Sequence, residues 1–162
     1  MSSTDSKQQQ FSQLLRPLLP ASAGYAHSIL RDRHLAEDAV QQAALRAFEN
    51  FHSFDQTRSF RQWWFAIVHN CCIDLVRADK SASHISVDEL DETASHENNV
   101  AETLMSAIGL LSADHQEILR LKYFADLSYK EIAATLEIPP GTVMSRLHLA
   151  RLALASKMRE LQ

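Results

Sequence analysis

The sequence predicts an all-α protein made of two small helical domains joined by an acidic linker. Three observations carry this. Apolar residues recur at steps of three and four, and no alternating strand pattern bounded by turn pairs occurs. Only three glycines and four prolines punctuate 162 residues. Charge is also unevenly spread. Residues 1–80 hold nine Lys/Arg against eight Asp/Glu, residues 81–110 hold none against six, and residues 111–162 hold seven against six, so the net charge of −4 comes from the middle. The expected division is therefore a domain over 1–80, a flexible acidic linker over 81–100 and a second domain over 101–162.

Composition excludes several classes. A hydrophobic content of 46% is that of a globular chain. No apolar run approaches the roughly 20 residues a membrane helix needs. The opening MSSTDSKQQQ is polar, resembles no signal peptide and is expected to fray. Cys71 and Cys72 are adjacent, so they are poorly placed to pair with each other, and a reducing cytoplasm fits.

The elements follow in order. Phe11 to Leu30 reads as a helix bent near Pro17 and Pro20, with Leu14, Leu18, Tyr25 and Ile29 loosely periodic. His34 to Phe51 is a clearer helix, and Val40, Ala43, Ala47, Phe48 and Phe51 form its expected buried stripe. Glu37, Asp38, Gln41, Gln42 and Glu49 lie away from that stripe. They form either a solvated face or an acidic, amide-rich surface for a basic partner. Phe51 to Arg58 is a loop with Asp55, Gln56 and Thr57 as turn formers.

Ser59 to Val76 is a third helix. Ser59 and Gln62 have capping-box spacing, and Phe60, Trp64, Ile67, Val68, Cys71 and Leu75 form one stripe. Trp63, Asn70, Asp74 and Arg77 lie on another face, with Arg61 near the start. Phe54, Phe60, Trp63, Trp64 and Phe65 sit beside Arg58 and Arg61. Most of these rings belong to a core, but one or two exposed beside a loop would form a stacking platform for unpaired bases. Ala101 to Leu111 and Ser112 to Phe124 read as two further helices, with a short helical turn around Val87 to Leu90 inside the linker.

The final stretch, Leu127 to Arg151, is the most specific. Ser128 stands three residues before Glu131, with Leu127 and Ile132 placed as a hydrophobic staple. The helix should end near Glu137, because Pro139 disfavours helical geometry in the residue before it, while Pro140 suits the first turn of the next helix. In that next helix Val143, Leu147, Ala150 and Leu154 share a face, leaving Thr142, Ser145, Arg146 and Leu149 outward. Pro140 to Arg159 carries Arg146, Arg151, Lys157 and Arg159 with no acidic residue. This is a helix-turn-helix whose second helix can enter a major groove.

Three segments also resemble the extracytoplasmic-function (ECF) group of bacterial RNA polymerase sigma factors. AEDAVQQAALRAF (36–48) is similar to the family's region 2 docking helix. SFRQWWFAIVHNCCIDLVR (59–77) is similar to the segment that reads and melts the −10 element. LSADHQEILRLKYFADLSYKEIAATLEIPPGTVMSRLHLAR (111–151) closely resembles region 4, which reads the −35 element.

The resemblance implies partners and roles. Core RNA polymerase would be bound through its β′ clamp coiled coil and its β flap, with Asp38, Gln41 and Gln42 on the clamp. Promoter DNA would meet Phe54, Arg58, Arg61, Trp63, His69, Asn70 and Arg77 at −10. At −35 it would meet Thr142, Ser145, Arg146, His148 and Arg151, with Ser128 and Lys130 on phosphates. An anti-sigma factor is a further implied partner. No cofactor, metal, small-molecule substrate or covalent chemistry is implied.

The chain departs from the family pattern at several of these positions. Gln42 stands where Glu is usual, Ala66 and His69 where basic residues are common, and Met144 and Leu149 replace frequent basic residues. Fewer phosphate contacts mean a weaker salt-dependent term, and apolar contacts to thymine methyls become available instead.

Two rival readings are expected to fail. A helix-turn-helix regulator that is not a polymerase subunit would explain 127–151 but not 36–77. A metal or redox protein using His52, His69, Cys71 and Cys72 lacks C-x-x-C and H-x-x-H spacing, and Cys71 falls on the buried stripe.

Overall fold

The computed structural model describes residues 2–82 and 96–162. Every regular element among them is helical. The chain divides into two compact units, Met1–Ser83 and His84–Gln162. The expected turn at Val87 to Leu90 lies outside the described residues, as does most of the linker.

In the first unit, α1 is Ser3–Leu15, α2 is Leu19–Leu30, α3 is Arg33–Asn50 and α4 is Phe60–Ala82. The polar N-terminus is helical from Ser3, eight residues ahead of the expected start at Phe11. The predicted bend exists: a 3₁₀ turn, Arg16–Leu18, carries Pro17 and separates α1 from α2. Arg31, in the left-handed region at φ 55°, ends α2, and the Asp32 carboxylate caps α3 by accepting the Leu35 amide at 3.0 Å.

The α3 stripe differs from expectation. Its buried residues are Ala36, Ala39, Ala43 and Ala47, whereas Val40 is half-buried and Phe48 is exposed. α3 packs on both α2 and α4, and the bulk there comes from Tyr25, Trp64 and Phe65, each almost fully buried. A row of alanines allows a close approach between α3 and its neighbours, and Phe48 sits at the edge of the core with its ring 5.4 Å from Phe11.

In α4 the buried side chains are Trp64, Phe65, Val68, Cys71 and Cys72. Phe65 and Cys72 thus join the core, while Phe60, Ile67 and Leu75 are only half-buried. The Trp64 indole N–H donates to Ser22 Oγ at 2.7 Å, and that hydroxyl donates to Leu18 O at 2.6 Å. A buried indole N–H needs such a partner.

In the second unit, α5 is His96–Gly109, α6 is Ala113–Leu119, α7 is Tyr129–Leu136 and α8 is Pro140–Glu160. α5 begins inside the stretch expected to be linker. Where a helix to Phe124 was expected, a π turn over Arg120–Phe124 closes α6, with the Ala125 amide donating to Arg120 O at 3.0 Å. The core comprises Ile108, Leu111, Ile118, Leu119, Leu121, Leu127, Ile132, Val143 and Leu147, and α5, α6 and α7 all pack on α8. Burying each such side chain contributes roughly 1.5–3 kcal/mol.

Candidate nucleic-acid interface

In the first unit, three candidate surfaces can be built from the residues upward. The loop after α3 is seated by aromatic rings. Phe54 lies 4.8 Å from the Trp63 ring, 5.6 Å from Phe60 and 6.0 Å from Phe51, the last pair nearly parallel. Phe11 reaches the same cluster, 5.3 Å from Phe51. Phe54 and Trp63 are only half-buried, so part of each side chain meets solvent. Asp55 orders the loop by accepting from the Thr57 amide at 2.9 Å and the Thr57 hydroxyl at 2.7 Å. Those two bonds, helped by Arg58, hold its carboxyl below the usual range. Arg58 pairs with Asp55 at 3.6 Å, and both side chains are largely exposed.

Along α4, Trp63, Asn70, Asp74 and Arg77 follow at steps of seven, four and three, which places them in one row. Asn70 and Arg77 are exposed, and Asp74 is held at 3.0 Å by Arg46 of α3. His69 flanks the row, half-buried, with Nδ1 3.1 Å from the Tyr25 hydroxyl. Arg61 is half-buried and lies about 200° round the helix from Trp63. The structure therefore sets Phe54 against Trp63, in one row with Asn70 and Arg77, with His69 to one side, Arg61 away from them and Arg58 on the loop against Asp55.

On α3, Asp38, Gln41 and Gln42 are exposed. Leu45, 66% exposed, continues the same ridge at one-turn spacing from Gln41. The Asp38–Gln41–Leu45 spacing is the sequence signal that places Leu45 on this ridge. Cys71 and Cys72 are fully buried, and burial pushes the Cys71 thiol up. Among the described residues no cluster of three or more His, Cys, Asp or Glu side chains has a metal-holding arrangement.

In the second unit, the capping box is complete. Ser128 Oγ accepts from the Glu131 amide at 3.1 Å, and the Ser128 amide donates to Glu131 Oε2 at 2.7 Å. Leu127 and Ile132 are both buried as the staple requires. α7 ends with Glu137 in the left-handed region at φ 55°, and the Ile138 amide donates back to Ala133 O at 3.0 Å. Lys130 is exposed, and Lys122 Nζ lies 5.1 Å from the centre of the Tyr129 ring.

α8 buries Val143, Leu147 and Ala150, while Leu154 is half-buried. Ser145, His148 and Leu149 are exposed opposite that face, whereas Thr142 and Arg146 are half-buried. Arg146 and Arg151 are about 140° apart around the axis, one on each flank. Arg151 is exposed and its Nε donates to Leu147 O at 3.3 Å. The centre of the outward face thus carries no lysine or arginine, with one arginine on either side. Met144, Leu149 and Leu152 are 58%, 55% and 55% exposed.

One unit thus carries a capped helix-turn-helix, and the other carries an aromatic loop and a polar helix row. The Sigma-70 region 2 family matches residues 14–82 and the Sigma-70, region 4 family matches residues 101–154. The chain is 32% identical over 152 residues to the ECF RNA polymerase sigma factor SigW of Bacillus subtilis, covering 83% of this chain and 81% of that protein. It is 33% identical over 145 residues to the ECF RNA polymerase sigma factor SigL of Mycobacterium tuberculosis, covering 85% and 82%. Among solved structures it is similar to CnrH in complex with the cytosolic domain of CnrY, with a TM-score of 0.76, 25% identity and coverage of 97% and 92%. It is also similar to the sigma factor RpoE of Bartonella quintana in complex with the anti-sigma factor NepR, with a TM-score of 0.72, 26% identity and coverage of 93% and 98%. The chain belongs to the ECF RNA polymerase sigma factors.

No helix among the described residues is long and apolar enough to cross a membrane.

Proposed function

We propose that this chain binds core RNA polymerase and directs promoter-specific initiation, reading the −35 element with α8 and capturing the −10 element with the loop and α4 of the first unit. The observation that carries this reading is the order of the two family matches, each falling on a unit with a solvent-facing row suited to its task. In the second unit, Ser145 and His148 face outward between Arg146 and Arg151, and Ser128 and Lys130 stand at the start of α7 where a duplex backbone would pass. In the first unit, the half-buried rings of Phe54 and Trp63 meet each other at the loop that also carries Arg58. Base–aromatic stacking at about 1–3 kcal/mol per base offsets the pairing lost when the strands separate. Asn70 and Arg77 continue that path with His69 to one side, whereas Arg61, on the far side of α4, falls outside it.

The Asp38, Gln41 and Gln42 ridge is the proposed docking face for the β′ clamp coiled coil, and the second unit is proposed to meet the β flap. The domain roles follow: 1–80 docks and melts, 101–162 reads the upstream element, and 81–100 connects them. The chain does this by binding and strand separation, with no covalent step. Two similar structures were solved with an inhibitory partner or a cytosolic partner domain, which supports an anti-sigma factor as the regulator here.

Run-off transcription with the source organism's core polymerase, on templates selected genome-wide, tests the proposal. Discrete transcripts that require the chain are expected. No promoter-specific transcript from any template refutes it, and tight binding to duplex promoter DNA without polymerase would favour a free-standing regulator instead.

A further inference from the structure

Gly141 is the second residue of α8, and it is exposed. At this first-turn position alanine would restrict the unfolded chain more than glycine does, so glycine brings no gain in stability. Two reasons would normally justify it, and neither applies. No glycine among the described residues has a positive φ, so the backbone conformation at 141 suits any residue. A Cβ built on Gly141 meets nothing within 4 Å, so no neighbour among the described residues demands the gap.

What remains is an approach from outside. Gly141, Ser145, His148 and Leu152 follow at steps of four, three and four, opposite Val143, Leu147 and Ala150. Ser145 lies one turn on, and its hydroxyl donates to Gly141 O at 2.9 Å, which folds the side chain down onto the helix. The first turn of α8 therefore presents a low surface, whereas Met144, Leu149 and Leu152 project beyond it. A major groove about 12 Å wide accepts a helix about 10–12 Å across only closely, so relief on the leading turn decides how far it seats.

We infer that Gly141 is the point of closest approach between α8 and promoter duplex, where the missing side chain lets the first turn settle against base edges. The inference rests on the reading of α8 as the −35 reader. It makes position 141 a determinant of specificity that works by exclusion: any side chain there holds the helix off the groove floor.

The test uses the full chain with core polymerase, on templates recovered by run-off selection. Gly141→Ala is expected to melt at the wild-type temperature or a few degrees above it. It should bind core unchanged. It should lose about tenfold in occupancy of the upstream element by footprinting, the scale of one mismatched base pair. Transcription from a template already opened at −10 should fall far less than transcription from closed duplex. Equal upstream footprints for Gly141→Ala and wild type overturn the inference and leave the sigma-factor reading intact. A variant that melts well below wild type also overturns it, because the fold would then need the glycine. If wild type itself yields no promoter-specific transcript, the underlying reading fails and this inference with it.

Discussion

Ser22→Ala is the perturbation that best tests how the first unit is held. Ser22 is fully buried and links two elements: it accepts from the Trp64 indole of α4 at 2.7 Å and donates to Leu18 O, beside the bend between α1 and α2, at 2.6 Å. Removing the hydroxyl removes little volume, so cavity cost is small. The main loss is the partner of a fully buried indole N–H, which costs about 1–3 kcal/mol because water cannot replace it. For a unit of this size, each kcal/mol moves Tm by about 4–8 °C, so a loss near 2 kcal/mol lowers Tm by about 8–16 °C. Both tryptophans of the chain, Trp63 and Trp64, lie in the first unit. Tryptophan fluorescence during urea or thermal unfolding therefore reports this unit alone. Trp64→Phe and the double variant complete a cycle: the double variant should cost less than the sum of the singles, since each removes the same bond. A Ser22→Ala midpoint within error of wild type would show that the buried bond contributes nothing net, and the argument from an unpaired indole would fail.

Three further outcomes are expected. Arg146→Ala should weaken upstream-element binding by about 1–3 kcal/mol while core affinity stays unchanged, measured by footprinting and by core titration; equal losses in both would remove Arg146 from the DNA-facing set. Asp38→Arg should lower affinity for core without changing the far-ultraviolet spectrum, and Leu45→Ala should do the same more mildly, since Leu45 adds apolar area to that ridge; unchanged affinity in both places the docking face elsewhere. Glu137→Gly should stabilise the second unit by about 1 kcal/mol, because Glu137 sits at φ 55° and glycine takes that conformation without steric cost. Slower hydrogen exchange of α7 and α8 amides in the full chain would report it, and faster exchange would mean the Glu137 side chain contributes more than its backbone costs.

Much of the second unit was legible in the sequence because its signals are local. The Ser128–Glu131 box, the Leu127–Ile132 staple and the Val143–Leu147–Ala150 face depend on neighbours within one or two turns, and each forms as read. The π turn over Arg120–Phe124 was not legible. It inserts one residue into a helical repeat, and the periodicity of RLKYF does not distinguish it from an ordinary last turn. The first unit was legible in its element order but not in its buried faces. Periodicity ranks large apolar residues as core, and so favoured Val40 and Phe48. Close packing on Tyr25, Trp64 and Phe65 instead selected four alanines.

The same division runs through the candidate surfaces. The sequence by itself determined the helical class, the family and the residue types on the candidate surfaces, because these rest on local caps, spacing and motif order. The tertiary structure alone decided which side chains share a surface. It put Arg61 away from the Trp63–Asn70–Arg77 row, set His69 against the Tyr25 hydroxyl, and exposed Leu45 on the ridge of Asp38 and Gln41. It also showed that a Cβ at Gly141 would meet nothing among the described residues. The physical reason is that capping and periodicity act within a helix, whereas orientation and exposure are settled by the volumes of side chains that distant segments bring to the same core.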